Sequence, residues 1–139
     1  MKYIFNVDFP IIAKQRQVSK EMRNRGITPA VIREQRYSKI RYAFISIAGE
    51  VKPHASKANL KISVPELTIV NQDGSEFYRY AGDLDSIAAS IMDALAGYAY
   101  NDDSQIYKLE IERIKVKQNF VIVELEFVDE CPVNWKGFR

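Results

Sequence analysis

One cysteine, Cys131, and one histidine, His54, are all that the 139 residues hold of the two side chains behind most zinc sites, disulfides and nucleophile–histidine pairs. An intrachain disulfide is excluded, and with it Cys/His zinc sites and any chemistry built on several histidines. A metal bound by this chain must be held by hard oxygen ligands. Prolines number five and glycines six, and no tract is compositionally simple, so neither a linker nor a long disordered region is expected. No apolar run approaches the roughly 20 residues of a membrane helix, and the N-terminus lacks the basic, apolar and small-residue order of a secretory signal. A soluble cytoplasmic protein with no membrane partner is expected. The 47% of hydrophobic residues suffices for one core, so residues 1–139 are expected to form a single domain.

Charge is not evenly spread. From Lys14 to Arg41 nine basic residues (Lys14, Arg16, Lys20, Arg23, Arg25, Arg33, Arg36, Lys39, Arg41) face only Glu21 and Glu34, a local +7 that leaves −5 on the rest of a +2 chain. A basic front with an acidic remainder suits a protein that grips a polyanion with one segment and does metal chemistry with another. A solvated helix face is the plainer alternative.

Local patterns predict the elements. Tyr3, Phe5, Val7 and Phe9 alternate as a strand closed by Pro10, whereas residues 11–26 show no clean period and read as an irregular or partly helical arm. Thr28-Pro29 starts a helix by hydroxyl cap and first-turn proline, and Val31, Ile32, Tyr37, Ile40, Ala43, Phe44 and Ile47 recur at helical spacing, predicting a helix over 29–48. Leu60, Ile62, Val64, Leu67 and Ile69 alternate around Pro65, which marks an edge or a bulge. Residues 71–75 form a turn cluster before a short return strand over 77–80. Ile87, Ile91 and Leu95, with Ala88, Met92 and Ala94 beside them, predict a second helix over 84–95 stopped by Gly97. Two strands, 107–114 and 120–127, follow and are expected to pair as an antiparallel hairpin. The whole is α+β: a mixed or antiparallel four-stranded sheet with two main helices.

Candidate chemistry lies between Gly82 and Ile106. Asp83 and Asp85 flank Leu84 at the start of the second helix, and Asp102-Asp103 follow its end after a short turn. Mg²⁺ takes one to three carboxylates plus water and phosphate oxygens, a need that an Asp-x-Asp pair suits. The helix is roughly 18 Å long at 1.5 Å per residue, so its two ends share an ion only if the chain folds back or a second subunit supplies a wall. Each pair also has a bland reading: Asp83 or Asp85 as a helix cap, Asp102-Asp103 as a solvated turn.

The segment as a whole is more specific. Asp83, Leu84, Asp85, Ile87, Asp93, Ala94, Leu95, Gly97, Asp102, Asp103, Gln105 and Ile106 stand in the order D-L-D-N-L, A-x-x-D-A-L, G, D-D-x-Q-I/V, with the turn differing by one residue in length. This pattern resembles the signature of the RusA-type Holliday junction resolvases, a phage-associated family, and the flanking strands and basic helix resemble the family's layout. The resemblance implies a Mg²⁺-dependent structure-specific endodeoxyribonuclease, with Mn²⁺ as an alternative ion. It implies a homodimer acting on four-way junctions and leaving 5′-phosphate and 3′-hydroxyl ends. Carried over by position, Asp83, Asp85 and Asp103 are the catalytic carboxylates and metal ligands, Asp102 is a further ligand, and Asp93 is structural. Lys14, Arg16, Lys20, Arg23, Arg25, Arg33, Arg36 and Arg79 are the expected DNA contacts.

Two positions depart from the family. Ser86 replaces an asparagine, and Ala89 replaces a lysine one turn beyond Asp85, a cation that would stabilise charge developing on phosphate. Arg79, Lys57 and Lys61 are candidates to replace it in space. The loss of that lysine favours a rival reading, a branched-DNA-binding protein that does not cut. Other rivals are a nuclease for flaps, forks or RNA–DNA hybrids, and an assembly protein whose acidic turns bind nothing. Tyr37, Tyr42, Tyr78 and Tyr80 lie near the charged regions, where they either stack on unpaired bases or pack into the core.

Overall fold

The structure, a computed structural model, describes residues 1–8, 24–26, 28–70, 76–79, 84–118 and 120–128. Residues 11–23 of the arm expected over 11–26, the turn over 71–75, and Phe9, Pro10 and Tyr80 lie outside them. Strand β1 (Lys2–Asp8) alternates as its sequence requires, with Tyr3, Phe5 and Val7 buried and the residues between them exposed. It pairs antiparallel with β5 (Phe120–Phe127), from Lys2 opposite Glu126 to Asp8 opposite Phe120. Strand β2 (Ala58–Val70) is the inner strand. It takes β5 antiparallel along Ala58 to Ser63, β4 (Ile106–Lys117) parallel along Ala58 to Glu66, and β3 (Glu76–Arg79) antiparallel over Leu67 to Val70. The long strands therefore run β1, β5, β2, β4, a mixed four-stranded sheet with β3 added at the far end of β2.

The expected hairpin of the last two strands is corrected: β4 and β5 follow each other in sequence, but no ladder joins them among the described residues, because β2 stands between them. Leu60, Ile62 and Val64 are buried completely, and a strand so enclosed needs a partner on each edge for its backbone groups. The excursion through β3 and the second helix is long enough to return β4 parallel to β2. Pro65 causes little disruption, since pairing with β5 ends at Ser63 and the β2–β4 register shifts just after the proline.

Helix α1 (Pro29–Ala48) begins where the Thr28 hydroxyl accepts from the Val31 N–H at 3.2 Å, with Pro29 in the first turn. Gly49 ends it at φ +74°, its N–H donating to the Ile45 carbonyl at 2.7 Å. The buried stripe is Arg36, Ile40 and Phe44 at successive fourth positions. Two residues counted in the apolar spacing are exposed: Val31 lies half a turn round from Ile40, and Ile47 extends past the last core residue. Helix α2 (Leu84–Leu95) buries Ile87, Ala88, Ser90, Ile91, Ala94 and Leu95. Both helices close one core with the inner sheet face, in which the Phe44 ring meets Tyr3 and Phe5 edge-on at 5.2 and 5.7 Å. The opposite sheet face is polar, with Lys2 and Lys61 both paired to Glu124 and Lys108 paired to Glu110. Among the described residues no helix is long and apolar enough to cross a membrane.

Candidate active site

With one face of α2 in the core, the other carries Asp85, Ala89 and Asp93, one turn apart and all exposed. Asp85 stands in the first turn, where the helix N-terminus favours negative charge. Asp93 lies roughly 12 Å further along the same stripe and accepts a 3.2 Å hydrogen bond from the Tyr37 hydroxyl of α1. Burial, then the Asp93 carboxylate, raises the Tyr37 pKa above its ordinary value.

Past Leu95 the chain turns back onto the last turn of α2. Gly97, at φ +84°, turns it, and the Gly97 N–H donates to the Tyr100 carbonyl at 2.7 Å. Tyr100 is fully buried and donates its hydroxyl to the Met92 carbonyl, 2.7 Å away and one turn back inside α2. Burial, then the charges of Asp103, Asp93 and Asp102, raise the Tyr100 pKa. The C-terminal end of α2 is a place where the helix dipole opposes negative charge and the last turn holds no basic residue. Arg41 of α1 compensates: its Nε donates to the Ala94 carbonyl at 2.8 Å and its guanidinium lies 4.4 Å from the Tyr98 ring centre.

Asp102 and Asp103 open a short 3-10 turn, Asp103–Gln105. The Asp102 carboxylate accepts from both the hydroxyl and the N–H of Ser104, which lowers its pKa. Gln105 completes a capping box, its Oε1 accepting from the Asn101 and Asp102 N–H groups at 2.9 and 3.0 Å. Its Nε2 donates to the His54 and Ser56 carbonyls, both at 2.8 Å, and the His54 N–H donates to the Ala99 carbonyl at 2.9 Å. The loop before β2 is thereby tied to the aspartate turn. Asp103 is half-buried, and no hydrogen bond of the cap uses its carboxylate.

Asp83 lies outside the described residues. No group of three acidic, histidine or cysteine side chains close enough to share an ion occurs among the described ones. The only histidine is half-buried, its ring stacked on Phe127 at 4.1 Å with Nε2 3.0 Å from the Tyr3 hydroxyl. Of the expected DNA contacts, Arg25 and Arg33 are exposed. Arg36 is not: it is 4% exposed, its Nε has no hydrogen-bond partner, and burial lowers its pKa. It sits in the buried stripe because it is four residues before Ile40, so its placement on an open DNA-facing surface is corrected. Lys14, Arg16, Lys20, Arg23 and the Arg79 side chain lie outside the described residues. As for a substitute at Ala89, Lys61 is on the opposite sheet face beside Glu124, and the Lys57 ammonium lies 4.7 Å from the Tyr107 ring centre.

Tyr100, Arg41 and the double role of Gln105 escaped the sequence reading. Only Gln105 carried a signal, its place three residues after Asp102. In comparison with known proteins, the family model described as endodeoxyribonuclease RusA matches residues 8–126, and no curated protein matches the chain.

Proposed function

The chain belongs to the RusA endodeoxyribonuclease family and is a nuclease, and from that premise we propose that it is a Mg²⁺-dependent enzyme that resolves Holliday junctions as a homodimer. The observation that carries the reading is the pair of acidic features at the two ends of α2, exposed Asp85 in its first turn and the Asp102-Asp103 turn that follows its C-terminal end. These groups offer only carboxylate oxygens, the donor type that Mg²⁺ prefers. Asp85 and Asp103 are the described ligands of the proposal, and Asp83 completes the set. Asp102, already held by Ser104, chiefly fixes the turn and adds negative charge to the site. When bound, the ion supplies Lewis acidity to the scissile phosphodiester and lowers the pKa of a water. The protein's share is to hold that charge beside a backbone gripped by exposed basic residues such as Arg33, and to orient the phosphate for in-line attack.

Ala89 favours a second reading, binding without efficient cutting, since it leaves the stripe between Asp85 and Asp93 without a cation. A labelled four-way junction incubated with Mg²⁺ separates the two: paired, symmetric nicks support the enzyme, and tight binding without nicks supports the rival. Asp85→Asn keeps shape and removes charge. Loss of at least about a hundredfold in cleavage rate is expected, and unchanged cleavage refutes the site.

A further inference from the structure

Tyr42 projects from α1 with 74% of its surface exposed, more than any other large hydrophobic side chain among the described residues. It stands over a groove of about 600 Å³ between α1 and the outer edge of β1, a strand whose pairing among the described residues is with β5 alone. Asn6, Asp8, Ser38, Lys39 and Ser46 line the groove with it. Ser38, Tyr42 and Ser46 are one helical turn apart and Lys39 is three residues from Tyr42, so all four share one side of the helix. We propose that this groove holds an unpaired nucleobase of the DNA substrate, stacked on the Tyr42 ring, with Lys39 at a flanking phosphate.

Three features favour a base over other occupants. A free aromatic face suits any base, because every base has a π-face. The Ser38 and Ser46 hydroxyls and the backbone groups along the outer edge of β1 at Asn6 to Asp8 supply hydrogen-bond partners for a base edge. Asp8 would repel a phosphate placed in the groove itself, whereas Lys39, exposed on the Tyr42 side of α1, attracts a phosphate alongside. The inference rests on the branched-substrate reading, since four-way junctions and forks are where a duplex-binding nuclease meets unpaired bases.

The test uses the full chain and two probes carrying 2-aminopurine, a short single strand and a four-way junction labelled at the branch. The parent is expected to quench the fluorescence of both. Tyr42→Ala should bind the single strand about tenfold more weakly and lose the quenching, Tyr42→Phe should match the parent, and affinity for unbranched duplex should be unchanged in both variants. Equal single-strand binding and quenching by parent and Tyr42→Ala overturns the proposal. So does a loss that is equally large on duplex, or a change in sedimentation without a change in DNA binding, which assigns the groove to a protein strand added at β1. Tyr42-dependent stacking on the single strand with no preference for junctions leaves the groove standing and removes the branched-substrate reading instead.

Discussion

Gln105 is the residue whose replacement most sharply tests how the aspartate turn is built. Its side chain accepts two backbone N–H groups through Oε1 and donates to two backbone carbonyls through Nε2, and only an amide does both. The two donated bonds are partly buried and are worth about 1 kcal/mol each, while the two accepted bonds are exposed and add a few tenths, so Gln105→Ala should cost about 2–3 kcal/mol. For a chain of this size that lowers Tm by roughly 8–12 °C. Gln105→Glu discriminates further. Glutamate at this position is as good a partner in a capping box as glutamine and keeps the accepted bonds. It also sets a carboxylate oxygen against the His54 and Ser56 carbonyls, so the loss should equal or exceed that of alanine and should shrink in acid, where the protonated group donates again. Thermal unfolding at pH 7 and pH 4.5 reads both effects. A Gln105→Glu protein as stable as the parent at pH 7 refutes the tie between the turn and the loop before β2.

Restoring the missing cation gives a second expectation. Ala89 is exposed one turn from both Asp85 and Asp93, so a lysine there fits without displacing core, and Ala89→Lys should raise junction cleavage about tenfold or more with little change in Tm; an unchanged rate shows that phosphate charge is met from elsewhere. Tyr37 provides a third. Its pKa is raised in the folded chain by burial and by Asp93, so the folded state keeps the proton after the unfolded chain begins to lose it near pH 10, and stability falls as pH rises beyond that point. In ultraviolet titration Asp93→Asn should bring one late-ionising tyrosine to lower pH and flatten this alkaline decline, and a titration curve identical to the parent's contradicts the Tyr37–Asp93 contact.

What could be read from the sequence follows the range of the forces involved. Helix α1 begins and ends where its own neighbours dictate, through Thr28-Pro29 and Gly49, and α2 ends shortly before Gly97. Strand positions were equally local, since alternation is a property of the segment itself. Partnership was not: β4 reads as the first half of a hairpin by proximity, and only the burial of β2, a fact of the assembled sheet, places β2 between β4 and β5. Arg36 failed for a related reason, because charge suggests a surface while its position four residues before Ile40 puts it in the buried stripe. The acidic excess outside the basic segment was also only partly site chemistry, for Glu110, Glu112, Glu124 and Glu126 lie on the strands of the sheet, several of them beside lysines on its outer face.

The spacing of the signature has a physical cause that separates its members by task. Gly97 permits the reversal, Tyr100 anchors the returning chain to the Met92 carbonyl, and Asp102 with Gln105 closes the turn and ties it to the loop before β2. Each of these positions is used up in holding the turn, and a residue whose hydrogen bonds are already made has little left to offer a ligand. Asp85 faces solvent from the start of α2, and Asp103 keeps its carboxylate out of the cap. Most of the motif is therefore a device for turning the chain and fixing it against the last turn of α2, and Asp85 and Asp103 are the aspartates that this device leaves unused.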